Sequence, residues 1–234
     1  MLEVRELSCG YGRLQVLNEV TVEVGSAESV GLFGPNGAGK TTLIGAITGM
    51  ITPMSGELLL EGESIRGLEA HEICRRGIAL VPQDRELFPF MSVIDNLETG
   101  ADYIAHARKR KAAQLELVFE LFPPLADRLK QPAGTLSGGQ QRMVAIGRAL
   151  MASPKLLILD EPSVGLQPSL VSEMFQRLAS MKGDLAILVT EQNVRATLGA
   201  VDRGYVLENG HIAIAQTSEE LRRNTHVIKS YLGI

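Results

Sequence analysis

The chain has 234 residues, of which 45% are hydrophobic and 21% charged, enough to bury a sizeable core without disulfides or a structural metal. Its formal net charge of −4 excludes a global field that attracts nucleic acid, and no window approaches the roughly 18 uninterrupted apolar residues of a membrane-spanning helix. The start, Met1-Leu2-Glu3-Val4-Arg5-Glu6, lacks the apolar stretch of a signal peptide. Cys9 and Cys74 lack metal-ligand spacing, the pattern of two reduced thiols in a cytosolic protein.

The first third of the chain is β-rich. Val20, Val22 and Val24 alternate with Thr21 and Glu23, which predicts a half-buried strand. Residues 29–33 form a short apolar run that stops at a glycine-rich loop. Residues 58–60 and 78–81 are further strand candidates bounded by Gly, Pro or Ser. From Ser92 to Pro154 the alternation is lost. Leu115, Val118, Phe119 and Phe122 recur at helical spacing, and Pro123-Pro124 stops that helix. The basic run Arg108-Lys109-Arg110-Lys111 reads as a solvated helix face. We expect 92–154 to be a helical lobe inserted into an α/β core made by 1–91 and 155–234.

After the lobe the β/α alternation returns. Residues 156–159 are a continuous apolar run, as in a strand buried on both faces of a parallel sheet. Leu170, Met174, Leu178 and Met181 line one helix face, and residues 186–189 are another buried strand. Asn209-Gly210 between two apolar runs predicts a hairpin. Thr217 and Glu220 predict a capping box that opens a C-terminal helix. The chain has no internal repeat and no low-complexity tract.

Residues 34–42 read Gly34-Pro35-Asn36-Gly37-Ala38-Gly39-Lys40-Thr41-Thr42, the Gly-x-x-x-x-Gly-Lys-Thr pattern between an apolar strand and a helix-compatible segment. Glycines let the backbone turn its N–H groups toward an anion, and the helix N-terminus adds donors and partial positive charge. Lys40 is placed for the β- and γ-phosphates, and the Thr41 hydroxyl for Mg²⁺. The plain alternative is a glycine-rich turn, and by itself the motif says only nucleotide phosphate. Residues 156–159 run into Asp160-Glu161-Pro162. Adjacent carboxylates at a strand end are costly unless they have work to do, and strand ends are where such sheets bind ligands. Asp160 is the candidate to hold Mg²⁺. Glu161, on the opposite side of the strand, is the candidate to polarise the attacking water. The alternative is a solvated acidic turn.

Leu136-Ser137-Gly138-Gly139-Gln140 precedes the helical pattern of residues 141–150, a second place where a helix N-terminus with small residues is ready for phosphate. With this string the chain resembles the ATP-binding-cassette family across essentially its whole length, since phosphate loop, helical lobe, signature and Asp-Glu strand follow in the family's order. The resemblance implies an α/β P-loop NTPase core with an antiparallel β subdomain and an inserted helical lobe. It also implies a head-to-tail dimer in which Ser137 and Gly139 reach the γ-phosphate held by the partner's phosphate loop. By the same resemblance Tyr11 stacks on adenine, the alternative being a core tyrosine. Gln83 contacts Mg²⁺ and the water and links the lobe to a transporter, the alternative being a loop glutamine.

Two positions depart from the family's usual pattern. Where a histidine commonly senses the γ-phosphate, the string Glu191-Gln192-Asn193 puts Gln192, which can donate but carries no charge. Where Gly-Leu-Asp-Pro is usual, Gly165-Leu166-Gln167-Pro168 lacks the carboxylate. The Glu-Gln-Asn string, residues 202–210, Glu120-Leu121-Phe122-Pro123, residues 145–151 and Tyr231-Leu232-Gly233 resemble the shorter ATPase subunit of branched-chain amino acid importers, the LivF type. Urea and amide importers share much of this pattern.

The expected protein is an ATPase using ATP and Mg²⁺. Its expected partners are permease subunits and a second cassette subunit, with a solute-binding protein engaged indirectly and no nucleic acid. It sits in the cytoplasm, peripheral on the inner face of the membrane. Two other readings are a nucleotide-gated subunit that barely hydrolyses, and a cassette acting on DNA or ribosomes; one cassette and no sustained heptads speak against the latter.

Overall fold

The computed structural model describes residues 1–181 and 185–232. In chain order the strands are β1 (Leu2–Tyr11), β2 (Leu14–Val24), β3 (Ser29–Phe33), β4 (Ser55–Leu60), β5 (Glu63–Ser64), β6 (Ile78–Val81), β7 (Leu156–Asp160), β8 (Ala186–Glu191), β9 (Arg203–Glu208) and β10 (His211–Thr217). The helices are α1 (Lys40–Ile47), α2 (Ala70–Arg75), α3 (Val93–Asp102), α4 (Ala105–Lys109), α5 (Lys111–Leu121), α6 (Gly138–Met151), α7 (Pro168–Ser180), α8 (Val194–Thr197), α9 (Ser218–Arg223) and α10 (Thr225–Val227). One sheet has the order β2-β1-β4-β5, with every pairing antiparallel. The other has the order β10-β9-β3-β8-β7-β6 and is parallel from β9 to β6.

The continuous apolar runs of β7 and β8 are explained by burial on both faces. Leu157, Leu159, Ile187 and Val189 face a core shared with Val93, Leu97, Val118, Val144 and Ile146 of the helices. Leu156, Ile158, Ala186 and Leu188 face a second core shared with the antiparallel sheet and with Leu43, Ile44 and Ile47 of α1. The parallel sheet is thus the plate between two cores. Adjacent strands β3, β8 and β7 end together, with Phe33 paired to Glu191 and Asp160 to Thr190. That shared edge is where loops can converge on a ligand.

The hairpin and the cap form where expected. Asn209 and Gly210 both have positive φ, 49° and 79°, as a two-residue turn with right-handed strand twist requires. The Thr217 side chain accepts from Glu220 N, and Glu220 closes the reciprocal bond. Met174 and Met181 are buried and Leu170 half-buried, while the side chain of Leu178 and the whole of Gly233 lie outside the described set. The basic run is not one helix face. It breaks at Arg110, between α4 and α5, and Lys111 is ion-paired with Glu98 and Asp102 at 2.7 and 3.2 Å. No described helix is long and apolar enough to cross a membrane. Cys9 and Cys74 are free thiols, Cys9 buried.

Candidate functional site

The phosphate loop leaves β3 and turns into α1. Gly39 precedes the helix at φ 112°, and a Cβ there would stand 2.5 Å from Leu17 Cδ2, so both conformation and space demand glycine. Gly34 is confined by close approach, since a Cβ would meet Leu207 O at 2.3 Å. The Ala38 amide bonds Pro35 O (3.2 Å), and Ala38 O accepts from Gly210 N (3.1 Å), which ties the loop to the distant hairpin. Among the described residues no side chain caps α1, which leaves its first amides available to an anion.

Lys40 is 4% exposed. Its Nζ donates to Gly34 O (2.8 Å) and Pro35 O (3.1 Å) and lies 3.0 Å from Glu161 Oε1. The two groups assigned to phosphate and to water therefore hold each other. Glu161 does not take its direction from strand alternation, as the sequence suggested. β7 ends at Asp160, and Glu161 sits at φ 42°, a left-handed conformation that swings its side chain back toward Lys40 and is held by Glu161 N bonded to Thr190 Oγ1 (3.1 Å). Asp160 accepts from Thr190 Oγ1 at 2.6 Å and from Thr41 Oγ1 at 3.4 Å. Burial raises the Asp160 carboxyl above its ordinary value, and the Thr190 hydroxyl partly opposes this. Glu191, 1% exposed, is likewise raised by burial and accepts from Ser163 N at 2.9 Å.

A cleft of about 450 Å³ opens at this edge. Asn36, Gly37, Gly39, Lys40, Thr41 and Thr42 form its floor, Glu161 and Gln83 one wall, and Tyr11, Leu14 and Val16 the other. Tyr11 is 55% exposed, a flat ring at the mouth and not a core tyrosine. A larger hollow of about 700 Å³ between α7 and α8 contains none of the phosphate loop; donor chemistry, not size, picks out the smaller cleft. The Thr41 hydroxyl, Asp160 carboxylate and Gln83 amide are hard oxygen donors of the kind Mg²⁺ takes beside phosphates and water.

The signature string stands on another element. Ser137 caps α6, accepting from Gln140 N at 3.4 Å while Gln140 Oε1 accepts from Ser137 N at 3.2 Å. Gly138 faces Arg85, Gly139 packs on Leu170, and Leu136 is buried. None of these five lines the cleft, and neither does Gln192, which follows β8 and is exposed. The sequence reading missed Thr190, which orients Asp160, and the arginines of α6, which grip the Gln83 loop. A hydroxyl beside Glu191 at the end of a buried strand was the available signal for the first.

A phosphate-binding loop between β3 and α1, with a paired Asp-Glu at the end of β7 across the intervening β8, defines a P-loop nucleotide hydrolase. The ABC transporter family profile matches residues 17–164. The chain is 42% identical over 234 residues, the full length of both proteins, to the Pseudomonas aeruginosa "High-affinity branched-chain amino acid transport ATP-binding protein BraG". It is 36% identical over 237 residues, 99% of this chain and 97% of the relative, to the Escherichia coli "Lipopolysaccharide export system ATP-binding protein LptB". Among solved structures, the ADP conformation of an ATP-binding cassette of an ABC transporter matches with a TM-score of 0.84 at 28% identity, over 100% of this chain and 99% of that one. This chain belongs to the ABC transporter ATP-binding family; it is an ATPase.

Proposed function

We propose that the chain is the ATP-hydrolysing subunit of an importer for branched-chain amino acids, bound on the inner face of the membrane to separate permease subunits. We assign 1–91 and 155–234 to the nucleotide-binding core and 92–154 to the lobe that meets the permease. The Lys40–Glu161 contact carries the catalytic part of this reading. A triphosphate outcompetes one carboxylate for the Lys40 ammonium, because it brings several negative oxygens to a site already lined with backbone donors. Once Lys40 turns to the β- and γ-phosphates, Glu161 is released to accept a proton from the attacking water. Tyr11 offers its ring to the adenine. Thr41, Asp160 and Gln83 hold the magnesium ion, which neutralises charge on the phosphates when bound. Gln192 donates an amide to the γ-phosphate side without adding charge. Leu136-Ser137-Gly138-Gly139-Gln140 serves the ATP of the second cassette subunit.

Full-length similarity to BraG supports the cargo; the LptB likeness, at 36%, makes lipid export the rival. Phe88 and Phe90, 50% and 95% exposed, lie on the loop that carries Gln83, and such apolar rings support contact with a permease. Glu161→Gln is expected to keep nucleotide affinity while turnover falls by about 10³-fold or more. Wild-type turnover in that variant overturns the role of Glu161. For the cargo, deleting the gene should abolish high-affinity leucine uptake by intact cells, with restoration from a plasmid. Unchanged leucine uptake with impaired lipopolysaccharide export would select the rival.

A further inference from the structure

The main-chain ladder from β6 to β7 ends at Val81. Beyond it the loop that carries Gln83 is held by side chains of the helices. Arg142, 1% exposed, donates from Nη1 to Pro82 O at 3.0 Å and from Nη2 to Gln83 O at 2.7 Å. Arg148, less than two turns further along α6, donates to Glu86 O at 2.8 Å and Arg85 O at 3.1 Å. Gln141 Oε1 accepts from Arg85 Nη1 at 3.0 Å, and the fully buried Asn96 bonds both N and O of Phe88. Arg85 and Glu86 have φ of 66° and 46°, conformations that persist only where the surroundings over-determine them.

Arg142 carries a second mark of this task. Its Nε is buried and, among the described residues, has no partner. An unmatched buried donor is a cost, so the guanidinium stands where the loop requires it and not where its own bonds are best satisfied. Burial and the charge of Arg85 lower its pKa to about 10, which leaves it charged at neutral pH. A planar fork is also what two neighbouring carbonyls need; a lysine ammonium is a point donor on a flexible stem.

We propose that Arg142 is a positioning residue for hydrolysis: it fixes the Gln83 main chain to the signature helix, so that a movement of Ser137 displaces Gln83. The inference rests on the ATPase reading above and adds a direction to it. α6 begins at the group that meets the second subunit's nucleotide and, about one turn later, holds the group that serves this subunit's own. Occupancy of one site is thereby communicated to the chemistry of the other through a single rigid helix.

The test is a double-mutant cycle on the full chain. Arg142→Lys is expected to lower kcat about 10-fold or more, with KM for ATP changed by less than about two-fold, because Gln83 is misplaced while the phosphate loop is intact. In a Gln83→Ala background the same change is expected to cost less than about two-fold further. Losses that multiply, or wild-type kcat in Arg142→Lys, overturn the proposal. Hydrogen exchange provides an arm independent of turnover. Faster exchange confined to residues 82–91 supports the clamp; acceleration throughout α6 and β7, or none, overturns it. A wild-type chain that hydrolyses no ATP refutes the functional reading alone, and the exchange arm still decides for or against Arg142.

Discussion

Asp160, Glu161 and Glu191 crowd three carboxylates into one buried strand edge, and each has a partner there: the Thr190 hydroxyl for Asp160, the Lys40 ammonium for Glu161 and the Ser163 amide for Glu191. Burial raises Asp160 above its ordinary value, so the folded state holds its proton more tightly than the unfolded chain and loses stability as pH rises past the unfolded carboxylate value of about 4. Asp160→Asn keeps an acceptor for Thr190 and removes the charge. It is expected to raise the melting temperature of the nucleotide-free protein at pH 7, with the advantage vanishing below about pH 4, while ATPase activity is lost. A melting temperature unchanged at pH 7 would contradict this. Residues whose chemistry is local were readable from sequence: the phosphate loop is contiguous, and its glycines speak for themselves. Arg142 was not, because its acceptors lie 60 and 59 residues upstream and nothing in a helix pattern marks an inward arginine. Glu161 was placed by its type but misdirected by strand alternation, since one left-handed dihedral decides where it points.

At the level of elements, the strongly punctuated pieces were legible. The β9–β10 turn, the α9 cap and the double-faced strands β7 and β8 each carry a short-range signal with a stated cause. β1 carries none: its buried positions run Leu2, Val4, Leu7, Ser8, Cys9 and Gly10, because register shifts in its pairing with β2 break the alternation. The split between α4 and α5 was hidden for a similar reason, a change of direction at Arg110 with neither Gly nor Pro to announce it. The α9 cap offers a direct measure of such a signal. Thr217→Ala removes the acceptor for Glu220 N and is expected to cost about 1 kcal/mol in chemical denaturation with ATPase turnover unaltered. A loss several times larger would mean that Thr217 does more than cap.

For the whole molecule, the separation of the signature string from the cleft of its own chain is the fact that calls for a second subunit. Ser137→Asp keeps the N-cap, since aspartate caps a helix as well as serine, but places a negative charge against any phosphate arriving from outside. Alone it is expected to abolish turnover while nucleotide still binds, and Lys40→Ala to abolish both. If the chain pairs with itself, an equimolar mixture of the two dead variants should recover turnover, with about one quarter of the wild-type rate as the ceiling for uncoupled sites, since half the random dimers hold one intact composite site. Absence of both turnover and ATP-dependent closure in a mixture proven to form mixed dimers would refute the head-to-tail arrangement. The fold as a whole was legible because the motifs follow one another in the order of the family that the chain resembles; the interleaving of β3, in chain order, between strands of the antiparallel sheet has no local signal. The sheet between two cores has one more consequence. The phosphate machinery is seated on the core it shares with α1, whereas outward-pointing rings such as Phe90 and Tyr103, 95% and 83% exposed, answer to neither core. Replacing Phe90 or Tyr103 by a polar residue is therefore expected to leave both the melting temperature and ATP turnover unchanged.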